Sequence, residues 1–371
     1  MTIICVTLTN RTNYSKLKLV LKELKDLQDV SIKIVLSSTI LLNRYGDGFL
    51  DIEKDGWIIN KKIDCVLLND SHEAMTKTIG LSIIEHATYF ASINPDMLLI
   101  VGDRFDMLAP TISGSMMNIP IAHIQGGESS GTIDNVVRDL ISRQSCLHFV
   151  ATEKCAKNLS KTGIKKDKIF NYGCPAVEYI SNLDVGEYFN ENMIDKKFKR
   201  KFSIQKNEKY LLVMIHPDTT NKEDIDTSIV LKRVLQTKLK AIIFYPNVDA
   251  NNSSILSAIS EYRNHKNFYM IRHMPLEGFV HVMAHACCMI TNSSSGIREA
   301  ASFGTPVINI GLRQKNRERN DNVIDIYNNY ETLDSLIEKY KNHRFSKNNI
   351  YYKKGCSKLI VEKLIKTIKH N

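Results

Sequence analysis

Short β-branched runs alternate with helical periods along nearly the whole chain. In the first half the runs Ile3–Leu8, Ile32–Leu36, Cys65–Leu68, Met97–Val101, Ile119–Ile124 and Leu147–Val150 predict strands. In the second half Tyr210–Ile215, Ala241–Phe244, Phe268–Arg272, Cys287–Ile290 and Val307–Ile310 do the same. Between them, amphipathic spacing predicts helices over His72–Ile93, Thr132–Ser145, Lys222–Gln236 and Leu276–His285, and a further helix opening near Ser15 with Leu17, Val20, Leu21 and Leu24 as its buried stripe. Alternation of this kind calls for α/β architecture: parallel sheets with helices on both faces. Two runs of five or six strands make two such sheets.

The chain has 371 residues, long for one core, which supports the same division. The expected boundaries are residues 1–181 for an N-terminal domain, 182–207 for a polar linker without clear period, and 208–355 for a C-terminal domain. A last helical pattern in 356–371, built on Leu359, Ile360, Leu364, Ile365 and Ile368, can pack back on either domain, the N-terminal one included.

Composition narrows the class without naming a chemistry. With 43% hydrophobic and 24% charged residues the chain reads as an ordinary soluble protein. No apolar stretch reaches the roughly 20 residues a membrane span needs, and the N-terminus reads as a buried strand rather than a leader. The net charge of +10 invites a nucleic-acid reading, yet many lysines fall on the solvent faces of helices, the one dense cluster (197–201) falls in the linker, and no nucleic-acid-binding motif is present. Eight scattered cysteines without a CxxC pair suit reduced thiols in a cytoplasm and neither a disulfide framework nor a zinc site. The expectation is a cytoplasmic protein with no nucleic-acid or membrane partner.

In doubly wound sheets ligands bind outside the carboxyl ends of the strands, so the polar turns there are the candidates. The richest follows Cys287–Ile290: Ser293, Ser294, Ser295 and Gly296 open a helix and Glu299 sits one turn in. This suits an anion at a helix N-terminus with a carboxylate for a diol, and equally a plain helix cap. Arg11 in the first turn can grip a phosphate or simply be solvated. Asp103 ends a strand beside Gly102 and can be an N-cap or a reacting group. After Ile119–Ile124 come Gln125, the Gly126-Gly127 pair, which permits close backbone approach to a ligand, and the carboxylates Glu128, Asp134 and Asp139. Asp134 can pair with Arg138 on one helix face, but three carboxylates near Asp103 are more acid than caps require. His216 ends a strand at the same sheet edge as the serine turn; Asn247 and Asp249 end the next strand, and Arg313 belongs to a cationic loop that faces the anion site.

Together Gly102-Asp-Arg-Phe-Asp106, His123-Ile-Gln-Gly-Gly-Glu128, Gly131-Thr-Ile-Asp134, Tyr245-Pro-Asn-Val-Asp249, Asn292–Glu299, Phe303–Gly311 and Arg317-Glu318-Arg319 resemble the hydrolysing UDP-N-acetylglucosamine 2-epimerases over nearly the whole chain. The resemblance implies two Rossmann-like domains facing across a cleft, as in GT-B glycosyltransferases. It implies that Arg11, Ser294, Ser295 and Arg313 hold the diphosphate together with the Ser293–Gly296 turn, that Glu299 holds the ribose, and that uridine lies against His273-Met-Pro275. His216 then lies near diphosphate and sugar. Asp103 and Asp134 match the essential acids, with Glu128 shaping the site. No metal and no cofactor is implied, the substrate is a UDP-sugar, and a homodimer or homotetramer is expected. The implied reaction eliminates UDP across C1 and C2 and adds water to the glycal, which from UDP-N-acetylglucosamine leaves N-acetylmannosamine.

The chain departs from the family pattern in three places. The first turn, usually Gly-Thr-Arg-Ala-Asp/Glu, reads Thr9-Asn10-Arg11-Thr12-Asn13; Gln125 stands where glutamate or histidine is usual; and Asp139 stands after Arg138 where histidine is common. Asp139 is thus the candidate for the ionisable group that Gln125 lacks. These changes leave open the same reaction on UDP-N,N'-diacetylbacillosamine and an inactive nucleotide-sugar binder; a non-hydrolysing 2-epimerase and an inverting glycosyltransferase of the same architecture are the further alternatives.

Overall fold

The computed structural model describes residues 1–42, 48–69, 71–190, 192, 194, 202–218, 225–246, 251–327 and 329–369. Asn247, Asp249 and the basic cluster 197–201 lie outside the described residues. Contacts divide the chain into two compact units: Met1–Ser129 with Ile133–Tyr179 and Tyr351–Asn371, and Ser130–Thr132 with Ile180–Ile350.

The first unit holds seven strands, β1 (Thr2–Leu8), β2 (Val30–Ser37), β3 (Ile59–Ile63), β4 (Met97–Val101), β5 (Ile121–Ile124), β6 (Leu147–Val150) and β7 (Ile169–Asn171), ordered β3-β2-β1-β4-β5-β6-β7. The second holds β8 (Tyr210–Met214), β9 (Lys240–Phe244), β10 (Phe268–Ile271), β11 (Cys288–Thr291), β12 (Val307–Ile310) and β13 (Val323–Ile326), ordered β10-β9-β8-β11-β12-β13. Every pairing is parallel. Each unit is therefore an α/β doubly wound sheet, as the alternation predicts. Winding reverses beside the first strand of each sheet, between β1 and β4 and between β8 and β11, and that is where the outgoing loops diverge.

The central strands are the ones the apolar runs predict, because they are covered on both faces. The edges differ. Cys65–Leu68 is not a strand: Leu67 and Leu68 are exposed, and the edge strand is Ile59–Ile63, whose exposed positions are the polar Asn60 and Lys62. The short, half-exposed strands β7 and β13 have no long apolar run either. The first helix starts at Arg11 rather than near Ser15, because Asn10 caps it by accepting from the amides of Thr12 and Asn13. The terminal helix Cys356–Ile368 belongs to the first unit, where Ile360 and Leu364 join Leu17, Leu21 and Leu24 in one core. In the span 202–207, Phe202 and Ile204 are buried, as are Phe189 and Ile194 before it. Among the described residues no helix is long and apolar enough to cross a membrane.

An asparagine bridges the reversal in each sheet. In the first unit Asn13 accepts from the amides of Thr9 and Asn10, both at 3.0 Å, and donates to the Val101 carbonyl at the end of β4 (3.1 Å). An ionised carboxylate at this point could not make that last bond. In the second unit the buried Asn292 accepts from the His216 amide (2.8 Å) and donates to the His216 carbonyl (2.7 Å), joining the end of β11 to the strand exit of β8.

Candidate active site

A fully buried guanidinium organises the first unit's candidate residues. Arg138 lies on the inner face of helix Asp134–Gln144, between the buried Val137 and Ile141. It donates from Nε (3.2 Å) and Nη2 to Oδ2 of Asp103, and from Nη1 to the Glu128 carbonyl (2.7 Å) and to Asn135 (3.2 Å). Burial alone would make this guanidinium easier to deprotonate, but the charges of Asp103, Glu128 and Asp134 outweigh that and hold it above its usual range. Asp103, Glu128 and Asp134 thus share one cation. Asp103 does not cap the following 3₁₀ turn Phe105–Met107, whose N-cap is Arg104. Asp139 stands one residue beyond Arg138 and accepts from Asn135 (3.3 Å); burial raises its pKa against the opposing pull of Arg138 and Arg143.

His123 fixes the turn from behind. Its Nε2 is 2.9 Å from the Gly102 carbonyl, which can only accept, so Nε2 carries the proton and Nδ1 accepts from the Ser142 hydroxyl (3.1 Å). Burial pushes its pKa down to about 3, and it stays neutral. Gln125, in the left-handed region at φ 72°, is buried and donates to the Cys174 thiol at 3.0 Å. The glycine pair beside it has a packing cause. A Cβ on Gly126 would lie 2.8 Å from the Ser142 hydroxyl, and one on Gly127 (φ 76°) would strike the Cys155 carbonyl.

Arg11 is the first residue of its helix, partly buried. Burial, and then the like charge of Arg104, lower its pKa to about 10. Two guanidiniums close enough to repel make a spot that favours an anion. Asp106, also buried, answers part of that charge and accepts from Thr9 (2.8 Å) and Ser38 (3.1 Å).

In the second unit the serine turn is both cap and candidate site. Ser293 caps helix Ser294–Arg298, accepting from the Ser295 amide (3.4 Å) and hydroxyl (3.0 Å). Ser294 accepts from Arg298 (3.2 Å). The Gly296 amide bonds the Ser293 carbonyl (3.2 Å), and a Cβ at Gly296 would lie 2.6 Å from Thr291 and 3.0 Å from Val307. Gly296 therefore lets this helix sit close on β11 and β12. Arg313 (3.2 Å) and Gln314 (2.8 Å) both donate to the Asn292 carbonyl, so His216, the serine turn and the Arg313 loop are joined through one buried asparagine. Glu299 lies 3.9 Å from Arg298 through Oε1, while its buried Oε2 accepts no hydrogen bond among the described residues. A buried carboxylate oxygen in that state calls for a donor such as a ligand hydroxyl. His273 is in the loop after β10, two strands from β8.

With this geometry in view, comparison with known proteins decides the family. The model of the UDP-N-acetylglucosamine 2-epimerase family matches residues 22–365. The chain belongs to that family. It is 34% identical to the UDP-N,N'-diacetylbacillosamine 2-epimerase (hydrolyzing) of Legionella pneumophila over 368 residues, 99% of this chain and 96% of that one. It is 32% identical to the GDP/UDP-N,N'-diacetylbacillosamine 2-epimerase (hydrolyzing) of Campylobacter jejuni, over 93% of this chain and 89% of that one. Its fold is similar to that of the Neisseria meningitidis UDP-GlcNAc 2-epimerase bound to UDP-GlcNAc, with a TM-score of 0.79 at 20% identity, covering 99% of this chain and all of that one.

Reading residues in isolation missed Arg138, Asn292 and His123 as organising groups. Arg138 had a signal: it falls in the apolar stripe of its helix, where a cation must have partners.

Two outcomes test this geometry. Arg138→Leu leaves Asp103 without its cation and is expected to cost about 3–5 kcal/mol in urea unfolding; a loss near zero would mean the pairing is ornamental. His123, His86 and His148 are all buried neutral in the first unit, with pKa values pushed down to about 3, 4 and 4. Below pH 6.5 the unfolded chain takes up protons that the native histidines refuse. Stability present above pH 6.5 should fall by about 1.4 kcal/mol per pH unit for each such histidine as pH drops toward 4. A denaturation midpoint that does not change from pH 7 to 5 would contradict neutral burial.

Proposed function

We propose that this chain is a hydrolysing 2-epimerase whose substrate is a UDP-linked 2,4-diacetamido sugar of the UDP-N,N'-diacetylbacillosamine type. The observation that carries the reading is the gathering of Asp103, Glu128 and Asp134 about one buried guanidinium, in a family named for epimerisation at C2. The choice of sugar is supported by two relatives above 30% identity, both named for diacetylbacillosamine.

The chemistry follows from the acidity of the C2 hydrogen, which is too low for simple abstraction. The C1–O bond therefore breaks largely first, its electron pair leaving on the β-phosphate oxygen of UDP. A carboxylate then takes the C2 proton, and a C1–C2 double bond closes the step. Water adds to that double bond, with hydroxyl to C1 and a proton to C2 from the opposite face. The sum is UDP-sugar plus water giving UDP plus the free 2-epimer, with no electron carrier required.

In this reading Asp103 and Asp134 move the protons, one as base and one as acid. The Arg138 guanidinium holds Asp103 in place, and Glu128 shapes the pocket. Asp139, whose pKa burial raises, is the ionisable group that Gln125 cannot be. The departing diphosphate is met by Arg11, Ser294, Ser295 and Arg313, with Ser293 and Gly296 shaping that turn and His216 alongside. Glu299 Oε2 takes the ribose hydroxyls, and His273 lies against the uracil. The site residues supply the acid, base and cations that the reaction needs, so no metal or cofactor enters the scheme.

UDP-N-acetylglucosamine itself is the second reading, favoured by the name of the family and by the Neisseria structure that holds it. Incubation of purified protein with each sugar nucleotide, followed by NMR of the products, separates the two. Free UDP and the free 2-epimer should form from UDP-N,N'-diacetylbacillosamine at least about tenfold faster in kcat/KM, a difference of about 1.4 kcal/mol. Preference for UDP-N-acetylglucosamine would move the assignment to the second reading, and epimerisation with UDP still attached would overturn hydrolysis. Glu299→Gln, which removes a charged acceptor but keeps its shape, should weaken UDP binding by about tenfold or more in calorimetry; unchanged affinity would remove Glu299 from the ribose.

A further inference from the structure

Gln314 follows Arg313 in the loop after β12, and it is 2% exposed. Its Nε2 donates to the Asn292 carbonyl at 2.8 Å, the same oxygen that Arg313 reaches at 3.2 Å. A carbonyl can only accept, so the amide is fixed with its nitrogen toward Asn292 and cannot flip. The other end, Oε1, is buried and accepts no hydrogen bond among the described residues. Nearby backbone amides are already engaged within the loop: Lys315 donates to the Leu312 carbonyl (2.8 Å) and Arg317 to the Gln314 carbonyl (3.3 Å). An amide oxygen buried without a donor loses its hydration and gains nothing in return. Two other buried amide oxygens of the second unit, Asn309 Oδ1 and Asn322 Oδ1, are in the same state. Asn309 lies inside β12 and Asn322 precedes β13, whereas Gln314 is in a loop at the carboxyl ends of the strands, where a doubly wound sheet takes its ligand.

We infer that Gln314 is a further substrate-binding residue, whose Oε1 accepts a hydrogen bond from a hydroxyl or an amide N–H of the nucleotide sugar. The inference rests on the nucleotide-sugar function proposed above. An ionised diphosphate at Arg313 and the serine turn offers acceptors, so it does not satisfy this oxygen. The donor belongs to a neutral group on one side of the diphosphate: a ribose hydroxyl, or a hydroxyl or acetamido N–H of the sugar. Glutamine suits the position because one end of its amide donates to Asn292 while the other accepts from the ligand. Asn292 in turn holds His216 by amide and carbonyl. The Nε2 bond thus has a structural role of its own, and a test must separate the two ends of the amide.

Gln314→Met keeps the size of the side chain and removes both hydrogen-bonding ends. It is compared with wild type on three ligands: UDP and inorganic pyrophosphate by calorimetry, and the nucleotide sugar by steady-state kinetics. Pyrophosphate carries the diphosphate charge but neither ribose nor sugar. With the donor on the ribose, UDP should bind about fivefold or more weaker. With the donor on the sugar, UDP should be unchanged and the KM of the nucleotide sugar should rise by a similar factor, with a smaller change in kcat. In both cases pyrophosphate should lose less than about twofold. Equal weakening of all three ligands, or no change in any, overturns the inference and leaves the nucleotide reading standing. Wild-type protein that binds no UDP overturns that reading and the inference with it. Should Gln314→Met not fold, a crystal structure of the wild type with the nucleotide sugar bound decides: Oε1 within roughly 3.2 Å of a ligand hydroxyl or amide nitrogen is expected, and no ligand donor within that reach overturns the assignment.

Discussion

The place where winding reverses in a parallel sheet exposes backbone that no neighbouring strand can satisfy. Loops leave the adjacent strands in opposite directions there, and their amides and carbonyls need other partners. In this chain one asparagine answers the need in each unit. Asn13 ties the first turn to the end of β4, and Asn292 holds His216 by both its amide and its carbonyl. An asparagine side chain serves because it accepts and donates at once. The residues available for chemistry are the ones next to these two bridges, held in place by bonds that the fold itself requires.

Charge follows from the same constraint. Arg138 enters the interior where Asp103 leaves β4, and a cation so fully buried is tolerable only with anions and acceptors around it. The first unit therefore gathers carboxylates for a structural reason, and in the proposed mechanism the same gathering supplies acid and base for proton transfer. The second unit gathers serines, Arg313 and a carboxylate oxygen without an internal partner, an arrangement that suits the leaving nucleotide more than the sugar. The proposed division of labour, proton transfer in one unit and diphosphate departure in the other, fits a reaction in which bond breaking at C1 runs ahead of proton loss at C2.

Much of this was legible in the sequence. Central strands announced themselves as unbroken β-branched runs because both faces are covered. Edge strands did not: Ile59–Ile63 has three polar residues, Asn60, Lys61 and Lys62, between its isoleucines, and the more apolar Cys65–Leu68 beside it forms no strand. The polar turns were found because they interrupt apolar runs, and their position at strand carboxyl ends follows from topology alone. Glycines were only half legible, since Gly126, Gly127 and Gly296 are demanded by contacts with Ser142, Cys155 and Thr291 that only folding brings close. Arg138 and His123 were hidden for a related reason. Each belongs to a regular element, and its role depends on which strand end it meets across the sheet.

The most direct test of the account is turnover in doubly labelled solvent. If the C1–O bond breaks and a C2 proton is replaced, reaction in D2O enriched with oxygen-18 must place one deuterium at C2 of the sugar, and the released UDP must carry no heavy oxygen. Oxygen-18 in the β-phosphate of UDP would show that water attacks phosphorus instead. A product sugar without deuterium at C2 would contradict proton exchange at the carboxylates gathered around Arg138.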